Sequence, residues 1–120
     1  KRRKLERITH PLVLKEMRRK IRSSVGVVFV AVPLLFEGNH ENEFDLTMTI
    51  EATEKLRLAR AARRDPGGRK AAAARVRAQL SDRERARRAD VVVANAGKPA
   101  DFRRALGEYY RALALIERSA

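Results

Sequence analysis

Between Arg57 and Arg88 the basic residues outnumber Asp65, Asp82 and Glu84 four to one. A guanidinium is planar, permanently charged at neutral pH and forked, so it suits bidentate contact with phosphate oxygens. Asp65-Pro66-Gly67-Gly68 divides the stretch, because proline and glycine together favour a turn and oppose helix continuation. Before the break Arg60 and Arg64 lie one helical turn apart, and after it so do Arg75 and Gln79; residues spaced by four share a face. Two such helices can close over a polyphosphate and neutralise charge on a transferred phosphoryl group. A solvated basic hairpin has the same pattern, so the spacing alone leaves both readings open.

Three further places carry groups of chemical interest. Pro33-Leu34-Leu35-Phe36-Glu37 follows an apolar run and sets the Glu37 carboxylate where it can accept a hydrogen bond from a ligand hydroxyl or amine. His10 stands before Pro11, either as a ligand contact or as a hydrogen-bonder at a joint between helices. Asn95-Ala96-Gly97 either lets backbone approach a base or supplies a left-handed turn, which Asn and Gly tolerate. No Gly-x-x-x-x-Gly-Lys-Ser/Thr phosphate loop occurs, since Gly67-Gly68-Arg69-Lys70 has the wrong spacing and follows a helix. With no cysteine and only two distant histidines, no metal-ligand spacing is present.

The elements that must position these groups alternate. Lys1 to Thr9 reads as helix, His10-Pro11 as the joint, and Leu12 to Arg22 as an amphipathic helix with Leu12, Val13, Met17 and Ile21 at helical intervals. Val25 to Val32 is nearly all apolar and β-branched, as in a central strand buried on both faces. Asp45 to Ile50 predicts a second strand, Ala52 to Arg64 and Arg69 to Leu80 two helices. Ser81 with Glu84 has capping-box spacing for a short helix to about Ala89. A third strand over Asp90 to Ala94 precedes a helix opened by Pro99, whose Phe102, Leu106, Tyr109, Tyr110 and Leu113 are expected to cover the sheet. Apolar strands alternating with helices predict an α/β fold with a mostly parallel sheet and flanking helices, and ligands in such folds bind beyond the carboxyl ends of the strands.

The length of 120 residues with 44% hydrophobic content bounds this to one modest core. No apolar run is long enough to cross a bilayer, and the lack of cysteine suits a cytoplasmic protein. The net charge of +13 predicts attraction to polyanions without choosing among them. Aromatics make up only 5% and none lies within Arg57 to Arg88, so a base-stacking nucleic-acid platform is not expected. The chain begins on Lys1, not Met, and three strands make a narrow sheet with open edges; both suggest a sheet incomplete at the amino terminus.

Taken in order, Ile8-Thr9-His10-Pro11-Leu12-Val13, Val32-Pro33-Leu34-Leu35-Phe36-Glu37, Arg60, Arg64-Asp65, Arg75 with Gln79, and Ala89-Asp90-Val91-Val92 with Asn95 and Gly97 resemble the dephospho-coenzyme A kinase family. Five weak motifs in the right order over most of the chain make the resemblance specific. It implies a P-loop kinase-like fold with a helical lid, and phosphorylation of the ribose 3′-hydroxyl of dephospho-coenzyme A by ATP. On that resemblance residues 1–24 form a helical acceptor-binding region, 25–56 core, 57–89 the lid, and 90–120 a core strand and terminal helix. His10, Pro33, Leu34, Leu35 and Glu37 would then face dephospho-coenzyme A; Arg60, Arg64 and Arg75 would contact the phosphates of ATP; Asn95 and Gly97 would lie beside the adenine. ATP and Mg²⁺ would depend largely on a phosphate loop upstream of Lys1, so the chain alone is expected to be inactive. The sequence departs from the family at Ala94, where an aspartate is usual, at the Pro66-Gly67-Gly68 break, and at Arg69-Lys70-Ala71, where acidic residues are usual. The alternative is a non-catalytic module that binds nucleic acid or another polyanion through Arg57 to Arg88.

Overall fold

The computed structural model describes the backbone of residues 2–119 and the side chains of residues 7 and 9–119. The chain forms two compact units, one of residues 1–30 with 110–120 and one of residues 31–109.

In the first unit α1 (Arg2–Arg22) runs unbroken through Pro11, so the expected joint at His10-Pro11 is absent. A proline inside a helix loses one hydrogen bond and crowds the carbonyl four residues back. Strong helix formers on both sides, Leu, Lys, Arg and Glu, carry the helix across that single defect. Of the expected apolar stripe, Met17 and Ile21 are half-buried while Leu12 and Val13 are exposed. Ser23 and Ser24 end the helix, both hydroxyls donating to the Lys20 carbonyl at 3.0 and 2.7 Å.

Residues beyond them correct a second expectation. Val25 to Val32 is not a strand: it joins no sheet, and Val25 is 96% exposed. β-branched composition suits a pleated surface, but a strand exists only where a neighbour completes its hydrogen bonds. Phe29 instead meets Tyr110 of the last helix, α5 (Pro99–Ser119), with ring centroids 6.0 Å apart.

The second unit is built on a parallel pair, β1 (Met48–Glu51) and β2 (Val91–Ala94), in register from Met48 beside Val91 to Glu51 beside Ala94. Among the described residues the sheet thus has two strands, not three, with Ile50 and Val92 left exposed. The main packing contacts lie between the strands, between α2 and α3, and between α4 and β1. Asp90 fixes the start of the pair, its carboxylate accepting from the Thr47 amide at 2.7 Å and hydroxyl at 2.8 Å.

Three helices make the crossover: α2 (Glu54–Arg64), α3 (Gly68–Ala78) and α4 (Asp82–Arg88). Thr53 caps α2 and Ser81 caps α4, each hydroxyl accepting the amide three residues on. The expected break at Pro66-Gly67-Gly68 is a tight turn in which Gly68 holds φ +62°, a conformation other residues adopt only with strain. The alanine run of α3 has no side-chain bulk to hold α2 away, and Ala72 is fully buried. Phe36 and Val93 complete the small apolar core.

Candidate functional site

The crossover hairpin sorts its arginines. Asp65, at the end of α2, is 7% exposed and takes Arg75 of α3 at 2.6 Å and its neighbour Arg64 at 3.7 Å. Two of the three arginines singled out from sequence therefore converge on one carboxylate. The third, Arg60, donates to the Asn95 carbonyl at 2.6 Å and so joins the hairpin to the loop after β2. Gly97 lies exposed two residues further along. Arg63, Arg69, Lys70, Arg77 and Arg83 have no ion-pair partner among the described residues.

Deeper in the unit, Arg85 binds Glu51 at the end of β1 through Nε and Nη2 at 3.0 and 2.8 Å, and Asp82 at 2.6 Å. It also donates to the Leu80 carbonyl. Arg57 of α2 reaches the same Asp82 at 2.5 Å and Gln79 at 2.9 Å. Burial acts to raise the Glu51 pKa, but hydrogen bonds from Arg85 and Thr49 and the charges of Arg85 and Arg57 hold it below the usual carboxylate range. Hydrogen bonding to Glu51 raises that of Arg85 in turn. Paired and forked on both sides, this network ties the far end of the hairpin to the strand.

Residues 33–39 form a compact turn, with Gly38 donating to the Leu34 carbonyl at 3.0 Å and His40 to the Leu35 carbonyl at 3.0 Å. Leu34 is held at φ +58° with its side chain half exposed. A bulky residue in that region is a true outlier, and such strain concentrates at ligand clamps and switches. Phe36 points into the core beneath the Arg88 guanidinium, 5.4 Å from its ring centre, and Arg88 also binds Asn39 at 2.9 Å and Glu41. The Arg88 hydrogen bond is the main reason that the Glu41 pKa lies below its ordinary value. Glu37 turns toward the crossover: its Oε1 accepts the Leu80 amide at 2.9 Å. Pro33 and Leu35 shape the turn, the one exposed and the other half-buried. His10 belongs to the first unit, on the exposed side of α1.

Sequence reasoning did not assign Asp65, Asp82, Glu51 or Arg88 these roles. A signal existed for the first two: in a stretch so poor in carboxylates, the few present are the ones that must organise the arginines. Nothing in the local sequence could pair Glu51 with Arg85 or Arg88 with Glu41, because those partners come together only through the crossover.

Parallel strands joined by a helical crossover whose arginines gather at one carboxylate and one loop carbonyl define an α/β protein, an arrangement consistent with the P-loop kinase-like class. Comparison with known proteins narrows the class. The chain belongs to the dephospho-CoA kinase family, whose model, described as "Dephospho-CoA kinase", matches residues 1–101. A dephospho-CoA kinase of Carboxydothermus hydrogenoformans is 38% identical over 97 residues, covering 78% of this chain and 47% of its own. One from Anaeromyxobacter dehalogenans is 40% identical over 102 residues, covering 82% and 48%. One from Frankia casuarinae is 35% identical over 112 residues, covering 92% and 48%. The chain thus spans about half the length of the curated relatives it matches.

Proposed function

We propose that this chain supplies the acceptor-binding and lid parts of an ATP-dependent kinase acting on the ribose 3′-hydroxyl of dephospho-coenzyme A. The observation that carries the reading is the meeting of Arg64 and Arg75, from two different helices, at the single carboxylate of Asp65. An anion is already the partner that this corner of the hairpin is shaped for, and a phosphate oxygen presents the same charge and the same acceptors. With Arg60 beside the Asn95 loop, the three guanidiniums would hold the phosphates of ATP while Asn95 and Gly97 lie against its base. The 33–37 turn, with strained Leu34 and with Glu37, would receive dephospho-coenzyme A. His10 is assigned to the acceptor on the family likeness.

Phosphoryl transfer depends mainly on positioned charge, and Mg²⁺ would supply part of it. No group of carboxylates and histidines able to hold a metal occurs among the described residues, so no step through Mg²⁺ is assigned to this chain. These 120 residues also contain no phosphate-loop motif, and turnover by the chain alone is expected to be negligible. None of the described helices is long and apolar enough to cross a membrane; a cytoplasmic location belongs to the same proposal.

The cations without an ion-pair partner among the described residues, Arg63, Arg69, Lys70, Arg77 and Arg83, favour a second reading, a basic surface for polyanions. Calorimetric titration of dephospho-coenzyme A at physiological salt, with ATP for comparison, separates the two. Selective, salt-tolerant binding of dephospho-coenzyme A is expected. Equal binding of both ligands that collapses as salt rises would replace the kinase reading with the basic surface.

A further inference from the structure

The joint between α3 and α4 is three residues long, Gln79 to Ser81. Its middle residue, Leu80, has both backbone groups taken by side chains from elsewhere in the same unit. The Leu80 amide donates to Glu37 Oε1 at 2.9 Å, and its carbonyl accepts from Arg85, which is itself anchored to Glu51 on β1. Neither bond belongs to a helix or strand. Their orientation sets the direction in which the chain leaves α3, the second helix of the hairpin.

Glu37 has a second oxygen. Oε2 has no hydrogen-bond partner among the described residues, and it is not one of the buried polar atoms left unsatisfied. The turn that carries it is held by Arg88, which binds Asn39 and Glu41 and lies over the Phe36 ring. A donor group settling on Oε2 therefore cannot move Glu37 without disturbing Oε1.

We propose that Glu37 is a positioning residue that couples acceptor binding to the hinge of the hairpin, with one oxygen holding Leu80 and the other taking a hydroxyl or amine of the acceptor. The inference rests on the acceptor role given to Glu37 above and adds to it a direction of influence. A bound acceptor orders the carboxylate, the ordered carboxylate strengthens its hold on Leu80, and the hinge stiffens in the arrangement seen here. Coupling of this kind is reciprocal, so a hairpin fixed in this arrangement binds acceptor more tightly.

The test reads the Leu80 amide directly, by hydrogen exchange in this chain with and without dephospho-coenzyme A, alongside calorimetry. In the free protein Glu37→Ala should speed exchange at Leu80 by roughly tenfold, the loss expected for one charge-assisted hydrogen bond. Glu37→Gln retains an accepting oxygen and should restore protection. It replaces the second oxygen with a donor, so dephospho-coenzyme A should slow Leu80 exchange in the unaltered chain but in neither variant. Equal exchange at Leu80 in the unaltered chain and Glu37→Ala without ligand would overturn the hinge role, whatever the ligand does. Dephospho-coenzyme A that binds without changing Leu80 exchange would overturn the coupling. Failure of dephospho-coenzyme A to bind by calorimetry would overturn the acceptor reading and the coupling with it, while the ligand-free comparison still decides the hinge.

Discussion

At Asp65 one carboxylate holds two guanidiniums that the proposed function needs elsewhere. Arg75 is 2.6 Å away and largely exposed, so the pair is screened by water and adds only about 1 kcal/mol to stability. A phosphate chain offers more acceptor oxygens and more charge, and it would compete with Asp65 for the same forks. Asp65→Asn removes the competing charge and leaves a side chain of the same shape at the end of α2. The expected outcome is a small loss of stability, about 1 kcal/mol by thermal unfolding, together with tighter binding of inorganic tripolyphosphate by several-fold in calorimetry. If affinity falls along with stability, Asp65 serves to build the hairpin and not to occupy its arginines. Sequence motifs singled out Arg64-Asp65 and Arg75, but their meeting at one carboxylate depends on the tight turn at Gly68, which spacing alone does not determine.

Among the elements, local chemistry was legible wherever it was sufficient. The cap at Ser81, the Pro-Gly-Gly break and the crossover helices follow from side chains acting within a few residues, and they stand within two residues of their expected bounds. Val25 to Val32 failed because strand formation requires a second strand, which no property of the run itself can supply. Pro11 failed for a different reason: its local preference for a joint is real, but the helix formers on either side outweigh one lost bond. The defect should still be measurable. Pro11→Ala restores the amide that can donate to the carbonyl of residue 7 and removes the ring clash, so α1 should gain about 1–3 kcal/mol of local stability. Slower amide exchange at residues 12–15 checks this. Unchanged exchange there would mean that the helix already relieves the clash by local distortion.

For the whole molecule the sign of the charge was plain from composition, but which charges are neutralised was not. Its 28 basic and 15 acidic residues leave a strong positive excess, and the structure directs the scarce carboxylates Glu51, Asp82, Asp65 and Glu41 onto arginines. Acid removes that restraint. Glu51 titrates below its ordinary range against the pull of burial, through Arg85, Thr49 and the nearby positive charge, and Asp90 does so through its backbone and side-chain hydrogen bonds with Thr47. A depressed folded pKa means that the group's stabilisation is complete above the unfolded value, about pH 4, and is lost as pH falls through the folded one. Protonation also leaves the basic residues unopposed, so self-repulsion grows in the same window. Stability should therefore be flat from about pH 7 to pH 5 and drop steeply below about pH 4. Glu51→Gln should cost roughly 2 kcal/mol at neutral pH, because Arg85 keeps its burial and retains only Asp82 of its two charged partners, and should flatten part of the acid limb. Denaturant unfolding followed by circular dichroism across this range decides between the two contributions. A Glu51→Gln curve parallel to that of the unaltered chain, with both acid limbs relieved by added salt, would assign the acid loss to repulsion across the surface and remove Glu51 as its cause.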